Sequence, residues 1–283
     1  MKKIFCYFHN DDMDGWASSA IVGLKHKNDN VEYHGYNYEP NLPLVDGYDI
    51  VYMLDCSSIW QDMAYLIRNN KKFVWIDHHA KKIWDTYEKI GEGIEGLRDT
   101  ESNHSACVLT WNYLFGAKPL PEMLKYVEDL DIWKWKYPLT EPINTCLHND
   151  FLGNRDLIIQ AMGDWEMDEK AIIDTGLIQL KMRKKQIEYI LENLRTKTFH
   201  GHKTGVVNSP VHQSFIGHEM LEQNPDIDIA MIWYARKDLV TISLRSRGDV
   251  DVSKIASKYG GGGHKPASGF SVKLGEKTDI YLR

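Results

Sequence analysis

Three short apolar runs, each ending abruptly in a carboxylate or an imidazole, constrain this chain more than any other feature of it. Ile4-Phe5-Cys6-Tyr7-Phe8 stops at His9, the run 49–54 stops at Asp55, and the run 72–76 stops at Asp77-His78-His79. Near-continuous apolar runs of this length suit parallel strands covered on both faces. Helical stretches at 16–26 and 60–69 and a further strand at 31–36 lie between them, with loop at Glu39-Pro40-Asn41-Leu42-Pro43. In an open α/β sheet the carboxyl ends of such strands lie along one edge, where ligands bind. Asp12, Asp14, Asp55 and His78 are therefore expected to meet in space despite their separation in the chain.

The first of these ends is the densest. His9-Asn10-Asp11-Asp12-Met13-Asp14-Gly15 reads as the turn between strand and helix. Carboxylates packed this closely repel one another and resist burial, and a bound cation is the usual remedy. An acidic, solvated turn that caps the next helix is the plainer alternative.

At 283 residues, two domains are expected. The net charge of −6 speaks against a broad electropositive face for long duplex nucleic acid, and a small anionic substrate held by a few local cations stays open. The four cysteines, Cys6, Cys56, Cys107 and Cys146, show no framework spacing and read as reduced thiols. Only five apolar residues follow Met1-Lys2-Lys3, too few for a signal sequence or a membrane span, so a cytoplasmic protein is expected.

Further along, a helix is expected from Ser102 or Ser105 to about 114. Another carries Met123 and Leu124 into Glu128-Asp129-Leu130-Asp131. Trp133 and Trp135 follow, with buried core as the weightier expectation and base stacking as the other. Residues 151–198 read as mainly helical, the piece 177–194 lacking Gly and Pro, with Lys181, Arg183, Lys184 and Lys185 as a solvated basic face and a nucleic-acid contact as the lesser alternative. A domain joint is placed at 196–203. The remainder reads as a small α+β unit, with strands at 205–208, 227–235, 239–245, 269–272 and 280–282 and helices at 215–223 and 252–259. Within it, Gly260-Gly261-Gly262-Gly263-His264 is costly in chain entropy and suggests a backbone geometry that side chains would block, such as amides closing on an anion. A flexible linker is the alternative. Arg245 shares a strand face with Ser243, opposite Val240, Ile242 and Leu244, and could grip a phosphate bidentately.

Asp77-His78-His79 resembles the name-giving signature of the DHH phosphoesterase superfamily. The stretch from His9 to Gly15 resembles its first motif, one residue shorter than the common spacing. Asp55 resembles the second and Asp129 the fourth. Ser243 to Gly248 followed by Gly260 to His264 is similar to the substrate-binding segment of the DHH-associated C-terminal domain. The fold implied is α/β: an N-terminal parallel-sheet DHH domain at 1–195 and a smaller α+β domain at 204–283, joined by a helical linker. The resemblance implies two manganese ions, with Mg2+ as the alternative, and mixed carboxylate and imidazole ligands suit that choice. It assigns His9 and Asp12 to one ion, Asp14, His78 and Asp129 to the other, and Asp55 as the bridge. His79 would stand beside the reacting water and Asp77 behind a histidine. Asp131 is a salt-bridge or capping residue, or the ligand in an alternative register. Arg245, Gly261, Gly262, Gly263 and His264 would bind substrate.

The activity so implied is hydrolysis of phosphoesters in short oligonucleotides or in cyclic or bis-phosphorylated nucleotides, with Asp55, His78 and His79 at the chemistry. Polyphosphate or pyrophosphate hydrolysis is a second reading and a catalytically silent nucleotide-binding regulator a third. No membrane partner is expected, and a homodimer is compatible with the sequence.

Overall fold

The structure, a computed structural model, describes residues 1–39, 41–101, 103–277 and 280–281. Two compact units divide the chain, Met1–Leu180 and the remainder from Lys181 onward. The first begins with β1 (Lys3–His9), α1 (Met13–Lys25), β2 (Asn30–Tyr36), β3 (Ile50–Leu54), α2 (Trp60–Asn69), β4 (Phe73–Ile76) and α3 (Ala80–Ile90). It continues through α4 (Ala106–Phe115), α5 (Glu122–Asp131), α6 (Thr140–Cys146), a π turn at Leu147–Phe151, α7 (Arg155–Gly163) and most of α8 (Trp165–Leu191).

The four strands run parallel in the order β2-β1-β3-β4. Alternate residues of the buried strands face opposite layers. Phe8, Leu54 and Ile76 pack with Val22 of α1 and Leu109 of α4, whereas Tyr7, Met53 and Trp75 pack with Leu66 of α2 and Ile83 of α3. Both faces are thus covered, which is why these strands read as continuous apolar runs. Full burial of each such aliphatic side chain is worth about 1.5–3 kcal/mol. Register carries this packing to the site: Phe8 pairs with Leu54 and Leu54 with Ile76, so His9, Asp55 and Asp77 leave the sheet side by side. The strand order reverses between β1 and β3, where a ligand crevice opens in sheets of this kind.

The second unit carries β5 (Arg195–Phe199), β6 (His202–Asn208), α9 (Gln213–Gln223), β7 (Ile229–Arg236), β8 (Leu239–Ser246), α10 (Val252–Ser257), β9 (Gly262–His264) and β10 (Ala267–Lys273). Its six-stranded sheet has the order β5-β6-β7-β8-β10-β9, antiparallel except between β6 and β7.

Several expectations change. The units divide inside α8, and the joint expected at 196–203 is built as the β5–β6 hairpin. α1 starts at Met13, ahead of the expected 16, because Asp12 caps it. Ile280 and Tyr281 form a buried helical turn instead of a strand, and Leu282 lies outside the described residues, as do Pro40 and the alternative helix start Ser102. Arg183 is not on a solvated face: it is buried, its guanidinium 3.8 Å over the Phe215 ring. The four cysteines are free and buried. No helix among the described residues is long and apolar enough to cross a membrane.

Candidate functional site

The site assembles on the carboxyl edge of the parallel sheet. β1 delivers His9 as its last residue, and Asp12 closes the following turn as the N-cap of α1, accepting the Gly15 N–H through Oδ1 at 3.0 Å. The other oxygen, Oδ2, lies 2.6 Å from His9 Nδ1. One carboxylate therefore both starts the helix and faces the strand end. Gly15 makes this possible, since a Cβ there would lie 2.0 Å from the carbonyl oxygen of His9. Gly15→Ala is expected to push α1 off the strand end, costing about 1–3 kcal/mol as overpacking does. It should weaken divalent-cation binding at the same time. A urea midpoint reads the first effect and a cation titration the second.

Asp14, in the first turn of α1, is almost fully buried and accepts the backbone N–H groups of Ala106 at 2.7 Å and Cys107 at 2.8 Å. The first turn of α4 thus presents otherwise unpaired donors, and the positive end of its dipole, to that carboxylate. Glu128 of α5 holds the same helix start by accepting the Ser105 N–H at 3.1 Å.

Asp55, equally buried, sits in the left-handed region at φ 57°, which costs a non-glycine residue roughly 1–2 kcal/mol and marks functional sites. Its Oδ1 lies 3.2 Å from His78 Nε2 and 3.8 Å from His79 Nδ1, while Oδ2 lies 3.5 Å from His9 Nδ1. His78 Nε2 also stands 3.3 Å from Asp131 Oδ2 and 3.7 Å from Asp14 Oδ2. Three overlapping groups result: His9, Asp12 and Asp55; Asp14, His78 and Asp131; and Asp55, His78 and His79. Behind them Asp77 Oδ1 accepts the N–H groups of His78 at 2.8 Å and His79 at 3.1 Å and lies 2.8 Å from His79 Nδ1. Asp77 thereby bends the chain after β4 and fixes the His79 ring.

His9 Nδ1, both oxygens of Asp55 and Asp131 Oδ2 are buried without a hydrogen-bond partner among the described residues. Yet each has an oppositely polar atom within 2.6 to 3.5 Å. Buried nitrogen and oxygen atoms gathered this closely with no hydrogen bond to satisfy them are the kind of arrangement a cation fills. Burial alone would drive the His9 imidazole down, but Asp12 and Asp55 outweigh it and lift it to about 11. Burial and the Asp55 charge push Asp14 up to about 7. Burial, then the Asp14 charge, raises Asp131 well above the carboxylate range. Asp55 goes the other way: burial would raise it, and the adjoining His78 and His9 hold it far below that range. A metal-free cluster therefore holds protons where a metal-loaded one would hold charge. The residue types and their orphaned buried atoms fit two divalent cations.

One expected ligand is corrected. Asp129 is buried on α5, but its oxygens accept from Lys136 N at 2.8 Å, Tyr137 N at 3.1 Å and the Thr140 hydroxyl. Its carboxylate is spent on folding the 132–137 loop, and Asp131, two residues on, enters the cluster in its place. The same loop carries Trp133 and Trp135, both left-handed, with rings edge to face at 4.8 Å. Trp133 is 41% exposed rather than core. The role of the α4 start in holding Asp14 left no mark in the sequence, because the contact spans 92 residues.

In the second unit, register sets His264 opposite Ala267 and Ala267 opposite Arg245, one cross-strand row on one face. Gly262 and Gly263 pair in β9, and a Cβ at Gly261 would lie 2.1 Å from the Gly269 carbonyl oxygen. The glycines therefore permit close strand packing, not a flexible linker. Arg245 is half-buried and already held, donating from Nη1 to Ser243 Oγ at 3.1 Å and the Leu244 carbonyl at 2.9 Å, and from Nη2 to Ser214 Oγ at 2.6 Å.

Residues 207–281 match the DHHA1 domain. The chain is 32% identical over 235 residues to an uncharacterized protein of Acanthamoeba polyphaga mimivirus, covering 78% of this chain and 52% of that protein. It is 35% identical over 217 residues to the oligoribonuclease NrnB of Bacillus subtilis, covering 70% of this chain and 52% of NrnB. The chain thus spans about half the length of these curated relatives. Its fold is similar to RecJ of Thermus thermophilus solved with Mn2+, with a TM-score of 0.57 at 15% identity over 96% of this chain and 49% of that one.

Proposed function

As a member of the DHH phosphoesterase superfamily that carries a DHHA1 domain over residues 207–281, this chain is, we propose, a manganese-dependent phosphodiesterase acting on short oligonucleotides or small phosphorylated nucleotides. The observation that carries the reading is the position of Asp55, one oxygen turned to His9 and the other to His78 between two ligand groups. His9, Asp12 and Asp55 would hold one cation, and Asp55, Asp14, His78 and Asp131 the other. Two divalent cations so held supply Lewis-acid activation of water and charge neutralisation at phosphoryl oxygens.

The chain's own groups supply the rest. Asp77 keeps the His79 proton on Nδ1, so that the ring meets the reacting phosphate in one orientation. The α4 start keeps Asp14 aimed inward through two fixed N–H contacts. The buried edge around Asp55 strengthens every charge interaction there. The proposed division of labour puts metal chemistry in the unit Met1–Leu180 and substrate grip by Arg245, Gly261 to Gly263 and His264 in the unit from Lys181 onward.

The pH response has a definite sign. His9 is raised to about 11 and Asp14 to about 7, so at pH 7 the metal-free cluster carries protons that an entering cation must displace. Mn2+ affinity should rise with pH between 6 and 8 (about tenfold per proton released per unit). Calorimetric titration in two buffers of different ionisation enthalpy should show net proton release, and a pH-independent affinity would contradict this. The activity itself is tested with Mn2+ on a labelled dinucleotide, a 3′,5′-bisphosphorylated adenosine, a cyclic dinucleotide and polyphosphate. Turnover of a nucleotide is the expected result, whereas turnover of polyphosphate alone would replace the reading.

A further inference from the structure

We infer that Tyr38 and Lys82 form a phosphodiester-gripping pair at the rim of the carboxylate cluster, an inference that rests on the phosphodiesterase reading above. Tyr38 follows the end of β2 on the same sheet edge, and its backbone is left-handed at φ 62°. A tyrosine held there is strained, and its neighbours maintain the strain. Asn37 accepts the Asn10 N–H at 3.1 Å, donates to Asp11 Oδ1 at 2.7 Å, and gives its own N–H to Glu39 at 2.8 Å. The loop is thereby stitched to the turn that carries His9 and Asp12.

The ring of Tyr38 so placed lies 5.9 Å from the His9 ring and 5.4 Å from that of Tyr36. Its hydroxyl has no hydrogen-bond partner among the described residues, although it lies in the field of Asp77, Asp55 and Asp12. A phenol is protonated at neutral pH, so the hydroxyl is a donor. Over its face, at 5.1 Å, stands the ammonium of Lys82, in the first turn of α3 just past His79. Lys82 is exposed and makes no ion pair among the described residues, whereas its neighbour Lys81 pairs with Asp85. A cation at a helix start opposes the helix dipole, and the Tyr38 ring face is what holds this one at the rim. An O–H donor and an ammonium beside five buried or half-buried carboxylates have one evident use, to hold an anion that the carboxylates alone would repel. The anion that fits is the phosphodiester of the substrate, Lys82 drawing it in and Tyr38 donating to a non-bridging oxygen as charge develops.

The test compares wild type, Tyr38→Phe and Lys82→Met on a 5′-phosphorylated dinucleotide with Mn2+, with Mn2+ affinity and urea midpoints measured alongside. Tyr38→Phe should lower kcat by about 100-fold, the scale of one lost transition-state donor, with KM and Mn2+ affinity little changed. Lys82→Met should raise KM by about tenfold and flatten its salt dependence, with Lys82→Arg restoring both. If wild type is active and both variants match it, the inference is overturned. It is equally overturned if Tyr38→Phe loses Mn2+ affinity in step with kcat, since Tyr38 would then only support His9. If wild type cleaves no phosphodiester, the functional reading fails separately. The subsite is then judged by binding of the same dinucleotide to Mn2+-loaded protein, and an unaltered Kd in Lys82→Met overturns it.

Discussion

Asp55→Asn is expected to abolish phosphodiester hydrolysis, lowering kcat by at least about 10³-fold, beyond the 10- to 100-fold typical of a residue that merely supports a ligand. The substitution is nearly isosteric, and asparagine tolerates the left-handed φ of 57° at this position. What it removes is the charge and one of two oxygens that face His9 and His78 from 3.5 and 3.2 Å. Asp55 is held ionised far below its ordinary range, so by linkage its contribution to the metal-free fold is present above the unfolded value of 3.8 and is lost as pH falls. The variant should therefore be less stable than wild type at neutral pH, with the difference vanishing in acid. Steady-state kinetics with saturating Mn2+ and urea midpoints at two pH values check both halves. Activity within tenfold of wild type would remove Asp55 from the bridge.

The second large effect separates two carboxylates on one helix end. Asp131→Asn should lose activity by about 10²–10³-fold through weakened cation binding while keeping the fold. Its Oδ2 has no hydrogen-bond partner among the described residues, and its carboxyl is raised by burial and by Asp14. Asparagine is neutral already and spares the metal-free protein the cost of holding that carboxyl protonated above its ordinary range, so its midpoint should stay or rise. Asp129→Ala should do the reverse. It leaves Lys136 N, Tyr137 N and the Thr140 hydroxyl without their acceptor, about 3–5 kcal/mol by the scale of broken buried charged networks. Urea midpoints and Mn2+ titrations on the two variants give opposite patterns. A stable, inactive Asp129→Ala beside an active Asp131→Asn would restore Asp129 as the ligand.

Why the register at this motif escaped sequence reading is instructive. Residues two apart on a helix face roughly opposite sides, so spacing alone says that one of Asp129 and Asp131 points inward, not which. The choice is made by the 132–137 loop, which folds back over Asp129 through left-handed Trp133 and Trp135, and non-glycine residues give no local signal for that conformation. The sheet was legible for the opposite reason. Strands such as Ile50–Leu54 are buried on both faces, so their composition announces them, and parallel pairing then fixes the shared edge where His9, Asp55 and Asp77 emerge. β5 was not legible, since Arg195-Thr196-Lys197-Thr198 is a polar edge strand with little to bury. Nor was Tyr38, an aromatic in a loop whose position depends on Asn37 and the distant turn at Asn10 and Asp11.

The most direct test of the central claim is anomalous diffraction from crystals soaked in Mn2+, recorded at the manganese edge. Two peaks about 3.5–4 Å apart, as in two-metal phosphohydrolase sites, are expected on either side of Asp55. His9 and Asp12 should contact one, and Asp14, His78 and Asp131 the other. A single peak away from Asp55, or none within reach of these five residues, would contradict the account.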